Sequence, residues 1–207
     1  MSLDEHLPNW LRVHPDYVLW RQDNFLSARE ANLLFDTLEH DLEWQRPTLT
    51  LYGKQHLIPR SQVWMGDADA HYRYSATSFE PVPWHHDVTA LCTAIQAHLK
   101  TLLGPLPRFN SVLINRYANG DQRMGWHSDD EPELGSNPII ASVSLGTERP
   151  MRFRPRKNRS GDAFNVALPH GSLLIMGHDT QRQLQHALLP RRLEGSRINL
   201  TFRAIHV

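Results

Sequence analysis

His127-Ser128-Asp129, a later His186, and the closing run Arg197-Ile198-Asn199-Leu200-Thr201-Phe202-Arg203 carry the strongest chemical meaning in this chain. An H-x-D on a strand places both side chains on one face, because residues i and i+2 of a strand point the same way. One more histidine from a neighbouring strand completes two nitrogen ligands and one carboxylate, the facial triad of non-haem Fe(II) oxygenases. Such a triad leaves about three of six octahedral positions open, room for a bidentate 2-oxo acid and dioxygen. Arg197 and Arg203 stand six apart (203 − 197) on a predicted strand and so share a face. A planar guanidinium binds a carboxylate bidentately, which makes an inward arginine a natural anchor for the distal carboxylate of 2-oxoglutarate. H-x-D alone is weak evidence; the ordered set of H-x-D, late histidine and R-x5-R is strong.

Ligands so far apart in sequence need a rigid scaffold, and the chain divides near Pro105. Before it, Ser27-Ala28-Arg29-Glu30 is a capping-box sequence, and Leu34, Leu38 and Leu42 recur behind it at helical spacing. Pro47 is the expected stop. A second helix starts at Trp84 or Asp87 and runs to Leu103, with Leu91, Ile95, Leu99 and Leu102 on one stripe and Gly104-Pro105 ending it. Residues 49–81, rich in Thr, Tyr, Val and Trp, predict short strands. After Pro105 the pattern predicts strands near 110–117, 139–145, 151–154, 164–168, 172–176 and 197–205, separated by Gly, Pro, Asn and Asp. The expected fold is α+β, mainly β: a double-stranded β-helix (jelly-roll) core with the N-terminal helices packed on it.

Composition narrows the partners. The 207 residues suit one domain, and 40% of them are hydrophobic, enough for a substantial core. With 22 basic and 22 acidic residues the net charge is zero, so any nucleic-acid site must be a local patch. The best such patch is the hairpin sequence from Arg152 to Asp162, where Arg152, Arg154, Arg156, Lys157 and Arg159 put five cations in eight residues. Arg191 and Arg192 are positioned to extend it. Basic loop tips are often merely solvated, so the patch is read as a phosphate contact only together with an aromatic pocket elsewhere. The single cysteine, Cys92, excludes an internal disulfide framework, points to a reducing compartment, and reads as a small buried hydrophobe. No apolar run approaches the ~18 residues of a membrane span, and the first ten residues do not resemble a signal peptide. A cytoplasmic monomer is expected, nucleoid-associated if bacterial.

From Leu51 onward the chain resembles the AlkB family of Fe(II)/2-oxoglutarate-dependent nucleic-acid demethylases, close to its vertebrate-type DNA repair branch. The motifs that carry the resemblance are Leu51-Tyr52-Gly53-Lys54, Ile58-Pro59-Arg60, Gly66-Asp67-Ala68, Tyr72-Arg73-Tyr74-Ser75, Asn115-Arg116-Tyr117, His127-Ser128-Asp129-Asp130-Glu131, His170-Gly171-Ser172, His186-Ala187-Leu188-Leu189-Pro190 and the 197–203 run. On that resemblance, residues 1–48 are an N-terminal extension with one helix. Residues 49–207 are the dioxygenase domain, with 49–81 its nucleotide-recognition segment, the whole forming one compact unit.

The resemblance implies that His127, Asp129 and His186 hold Fe(II), and that Asn115, Tyr117, Arg197, Asn199 and Arg203 form the 2-oxoglutarate pocket. It places Arg203 on the far carboxylate and Arg197 nearer the metal. His178 competes as third ligand, since it also follows the 172–176 strand. The shorter connection from His186 to Arg197 (197 − 186 = 11) and the family pattern both favour His186. Tyr72, Tyr74 and Ser75 line the base pocket, with Tyr74 and the His127 ring sandwiching the base, and Arg60, Asp130 and Glu131 lie on the substrate side. Lys54, Arg154, Arg156, Lys157 and Arg159 contact phosphates. Tyr52 acts as a wedge that fills the gap left by a flipped nucleotide. The implied reaction is oxidative N-demethylation of bases such as 1-methyladenine or 3-methylcytosine in DNA, yielding succinate, CO2 and formaldehyde. The alternatives are an oxygenase of the same kind acting on RNA, protein or a small molecule, and a non-enzymatic metal-binding jelly roll, which leaves Arg197, Asn199 and Arg203 unexplained.

Overall fold

Period-two alternation in the last strand divides the molecule into a structural side and a chemical side. Along Arg197–Arg203, Ile198, Leu200 and Phe202 enter an apolar layer shared with two helices, while Arg197, Asn199, Thr201 and Arg203 line a narrow cavity. The computed structural model describes residues 9–51, 54–74, 77–157 and 162–206. The chain begins with β1 (Leu11–Arg12), β2 (Leu19–Gln22), α1 (Ala28–Asp41), β3 (Thr48–Leu51), β4 (Lys54–Leu57) and β5 (Ser61–Gly66). It continues with β6 (Tyr72–Tyr74), β7 (Thr77–Phe79), α2 (His86–Leu103), β8 (Ser111–Tyr117), β9 (Met124–His127) and a 3-10 turn (Pro132–Leu134). It closes with β10 (Ile140–Gly146), β11 (Met151–Pro155), β12 (Phe164–Val166), β13 (Ser172–Met176), α3 (Thr180–Gln183), β14 (Leu184–Leu188) and β15 (Arg197–Arg203).

A seven-stranded sheet in the order β1-β2-β13-β10-β15-β8-β5 faces a four-stranded sheet in the order β12-β11-β14-β9. The central pairings are antiparallel, and the cavity between the sheets draws its lining from both. This is the mainly β double-stranded β-helix that the strand pattern predicts. The hairpins β3–β4 and β6–β7 stand outside both sheets.

Ser27 builds the cap that opens α1: its Oγ accepts the Glu30 N–H at 3.3 Å, and the Glu30 carboxylate accepts the Ser27 N–H at 2.8 Å. The helix ends at Asp41, well before Pro47. The terminator is Leu42, which turns to extended backbone and packs against the apolar layer. Glu39 of α1 accepts from Arg116 of β8 at 2.8 Å, tying helix to sheet. In α2, Val88, Leu91, Cys92, Ile95 and Leu99 are buried on the outer face of the large sheet, and Gly104, at φ +79°, ends the helix. Burial raises the Cys92 thiol to about 11, as suits a packed hydrophobe. Ile95→Ala is expected to cost about 2–5 kcal/mol in denaturant unfolding. It lies on the side of the sheet away from the cavity, so catalysis by the folded fraction should be preserved.

The N-terminal segment does more than supply a helix. β2 pairs with β13 (Leu173↔Gln22 to Met176↔Leu19), so residues 19–22 are an integral strand of the large sheet. Leu19-Trp20-Arg21-Gln22 is too short and too irregular in pattern to announce a strand locally.

Candidate active site

β9 and β14 are neighbours in the small sheet, with His127 directly opposite His186 and ring centroids 4.2 Å apart. Only His127 of the H-x-D belongs to the strand. β9 ends there, and Ser128, whose Oγ donates to the Leu184 carbonyl at 2.8 Å, carries the chain on to Asp129. The expected sharing of one strand face is therefore replaced by a strand-plus-loop arrangement with the same convergence. His127, Asp129 and His186 present one ligand atom each, all within 4.8 Å of one another. His178 is exposed and lines a separate surface groove with His206, so it does not join them.

The protonation states suit a metal. The His127 Nδ1 lies 2.8 Å from the Gly125 carbonyl, which assigns its proton there and leaves Nε2 as a lone pair, 3.6 Å from Asp129 Oδ1. Burial lowers the His127 imidazole. Burial, with repulsion from His127, lowers His186 to about 3. Burial of Asp129 works against its ionisation, but Arg203 and the two imidazoles outweigh it and hold the carboxyl at about 2. Two neutral imidazoles and a carboxylate are the donor set of the facial triad. With bonds of about 2.1 Å at right angles, facial ligands lie about 3 Å apart, so atoms 3.6 Å apart for His127 and Asp129, and within 4.8 Å for all three, need only draw together to share one ion.

Asp129 is held from two sides. Its backbone N–H donates to Gln181 Oε1 at 2.9 Å, and its Oδ2 accepts from Arg203 Nη2 at 2.9 Å. Arg203 therefore lies beside the triad. The other end of β15 holds Arg197, which is 1% exposed, donates to Ser144 Oγ at 2.9 Å and sits 5.6 Å from the centroid of the Tyr117 ring. Among the described residues its buried Nε has no partner, and burial lowers its pKa to about 10. Relative to the triad the two arginines therefore stand in the reverse of the expected order, Arg203 beside it and Arg197 at the other end of the strand. Asn115, Tyr117 and Asn199 line the cavity between the two ends, and Asn199 Nδ2 donates to Ser142 Oγ and the Val143 carbonyl. β10 ends at Gly146, whose φ of +81° and close approach to the Ser196 carbonyl exclude a side chain, next to Arg197 in register.

The residues expected to meet substrate have varied settings. Arg60 is buried, with Nε donating to Asn115 Oδ1 at 2.7 Å and Nη2 to Gln62 Oε1 at 3.2 Å, so its guanidinium braces the cavity wall. Asp130 and Arg156 form one ion pair at 2.6 Å, and Arg156 also donates to the Gln181 carbonyl. An acid expected to face a base and a cation expected to face phosphate thus occupy each other. Arg154 lies 4.2 Å over the Trp126 ring and donates through Nε and Nη2 to Gln185 Oε1. Glu131 leads into the 3-10 turn and is half-buried; Lys54 and Lys157 are exposed. Tyr52, Ser75 and Arg159 lie outside the described residues, as do the side chains of Tyr72 and Tyr74. Gln181, Ser144 and Trp126 carry roles with no sequence signal, because each depends on which strand or loop becomes its neighbour.

Facing antiparallel sheets with a largely buried His-Asp-His triad at one end of the cavity and a buried arginine at the other define the class, a 2OG-Fe(II) oxygenase. The sequence model of the 2OG-Fe(II) oxygenase superfamily matches residues 21–203. The DNA oxidative demethylase ALKBH2 of Homo sapiens is 34% identical over 208 residues, 96% of this chain and 77% of that protein. Its Mus musculus counterpart is 33% identical over 214 residues, covering 99% and 87%. The alpha-ketoglutarate-dependent dioxygenase alkB homolog 3 of Homo sapiens is 35% identical over 192 residues, covering 88% and 64%. The structure of OsALKBH1 superposes with a TM-score of 0.62 over 94% of this chain and 99% of that one, at 17% identity. An oxidoreductase of the 2OG-Fe(II) oxygenase family from Burkholderia pseudomallei gives 0.61 over 89% and 84%, at 16% identity. At those identities the two structures speak to the fold. The chain belongs to the AlkB family of Fe(II)/2-oxoglutarate-dependent oxygenases.

Proposed function

We propose that this protein removes alkyl groups oxidatively from N-alkylated bases in DNA, of the 1-methyladenine or 3-methylcytosine type. The observation that carries the reading is the two-ended cavity, with His127, Asp129 and His186 at one end and the carboxylate-free Arg197 at the other. The ALKBH2 relatives, at 33–34% identity over nearly the whole chain, support DNA as the substrate.

His127, Asp129 and His186 hold Fe(II), and Arg203 keeps the Asp129 carboxylate ionised and aimed. Arg197, with Ser144 and Tyr117 around it, takes the far carboxylate of 2-oxoglutarate, while Asn115 and Asn199 line its path. The iron, with 2-oxoglutarate and O2, supplies oxidation of the N-alkyl group, so that succinate, CO2 and formaldehyde are released. The target base must leave the stack, and a methylated Watson–Crick edge pairs poorly, so such a base is cheaper to extrude. Tyr72, Tyr74 and Ser75 receive it against the His127 ring, and Glu131 lies on the same side. Asp130 reaches a cationic base only by exchanging Arg156 for it. Arg154, Lys157, Arg159 and Lys54 track the phosphates, and Tyr52 fills the vacated stack. No helix among the described residues is long and apolar enough to cross a membrane. The reading is of a monomer working in the cytoplasm.

Formaldehyde release from matched methylated DNA and RNA oligonucleotides, single- and double-stranded, tests this directly. Turnover is expected on DNA carrying 1-methyladenine or 3-methylcytosine. Turnover confined to RNA, or absent from every alkylated oligonucleotide while 2-oxoglutarate is still consumed, would move the substrate to another class.

A further inference from the structure

Four arginines are buried around the cavity, Arg60, Arg149, Arg197 and Arg203, and among the described residues only Arg203 is seen paired with an acid; Arg60 is held by Asn115 and Gln62. Arg203 is paired with Asp129. Arg197 and Arg149, 1% and 2% exposed, instead lie over the same aromatic ring, their guanidinium carbons 5.6 and 5.5 Å from the Tyr117 centroid. Arg149 Nη1 donates to the Asn119 carbonyl at 3.2 Å and Nη2 to the Leu189 carbonyl at 2.8 Å. The Nε of each of these two is buried with no partner among the described residues. Among the described residues no carboxylate forms an ion pair with either side chain, and the charges acting on Arg197 are those of Tyr117 and Arg149. Two like charges excluded from water over one tyrosine ring, one of them lining the cavity, are strongly unfavourable without a compensating anion.

We propose that Arg149 is a second cationic anchor for the distal carboxylate of the cosubstrate, acting through its charge and by holding the Tyr117 ring and Arg197 in place. The inference rests on the reading above that 2-oxoglutarate binds with its far end at Arg197. Arg149 is a positioning residue: it is not among the residues that line the cavity. Tyr117, 3% exposed, has both guanidinium groups over its ring and so couples them through a polarisable face. The site therefore selects a dianion. A 2-oxo acid lacking the second carboxylate leaves both buried cations uncompensated and should bind far more weakly.

A purely architectural alternative exists, since Arg149 also ties the loop after β8 to the end of β14 through two carbonyls. The two roles give opposite results. With Mn(II) in place of iron and oxygen excluded, 2-oxoglutarate is titrated into the whole protein and into Arg149→Met, Arg149→Lys and Arg197→Met, with thermal melts recorded before and after saturation. Under the proposal, Arg149→Met raises the 2-oxoglutarate Kd about tenfold or more, and its ligand-induced melting shift shrinks. Arg149→Lys, which keeps charge but loses the fork, recovers most of the affinity. Wild-type affinity in Arg149→Met, or an equal loss in Arg149→Lys, overturns the proposal in favour of the architectural tie. Arg197→Met separates this from the underlying reading: undiminished 2-oxoglutarate binding there would remove the cosubstrate assignment itself. Loss in Arg197→Met with none in Arg149→Met would remove only the role given to Arg149.

Discussion

His186→Ala is expected to abolish 2-oxoglutarate turnover, whereas His178→Ala retains nearly all of it. His186 contributes a buried, neutral imidazole directly opposite His127, and its removal leaves a two-ligand site. Loss of an outer partner of a ligand typically costs about 10–100-fold in affinity or activity, and loss of a ligand should exceed that. His178 is exposed in a groove with His206 and touches none of this. Metal titration and cosubstrate turnover, measured on both variants, give the comparison. A silent His186→Ala with a dead His178→Ala would place the third ligand elsewhere.

The second large effect separates the two arginines of β15. Stripping the partner from a buried carboxylate costs about 3–5 kcal/mol, much of it the penalty of an unpaired charge. Arg197→Ala should therefore weaken 2-oxoglutarate binding by two to three orders of magnitude, to the order of that energy, while leaving metal affinity close to wild type. Arg203→Ala should show the reverse emphasis. Its partner is the Asp129 carboxylate, so metal affinity falls first and cosubstrate binding follows from that loss. Parallel titrations of metal and of 2-oxoglutarate read the two directly. A variant pair with the phenotypes exchanged would mean that the cosubstrate lies in the opposite direction along the strand.

The candidate ligands could be read from the chain because they are local or compositional facts. His127 and Asp129 are two residues apart, Arg197 and Arg203 share a strand face, and the Ser27–Glu30 cap needs nothing beyond its own turn. The jelly-roll scaffold was likewise foreshadowed by short strands punctuated with Gly, Pro and Asn. The choice of His186 over His178 rested on spacing and resemblance, and becomes physical only when β14 lies beside β9. Arg149 gave no sign at all. In Glu148-Arg149-Pro150 it reads as a solvated turn cation, and its burial follows from the carbonyls of Asn119 and Leu189, residues 30 and 40 positions away.

The orientation of the arginine pair shows where local reasoning stops. R-x5-R marks two positions on one face, separated by roughly 20 Å at the rise of an extended strand, but a strand has two ends that look alike from within. Which end meets the metal depends on where the chain leaving β9 sets Asp129 against β15, a contact spanning 74 residues of sequence. The same holds for Asp130 and Arg156, whose charges are individually plain in the chain but whose pairing requires two loops to meet. Residue type and short-range periodicity carry the chemistry available to this protein. Register between distant strands, a property of sheet closure, assigns each group its partner and so its task.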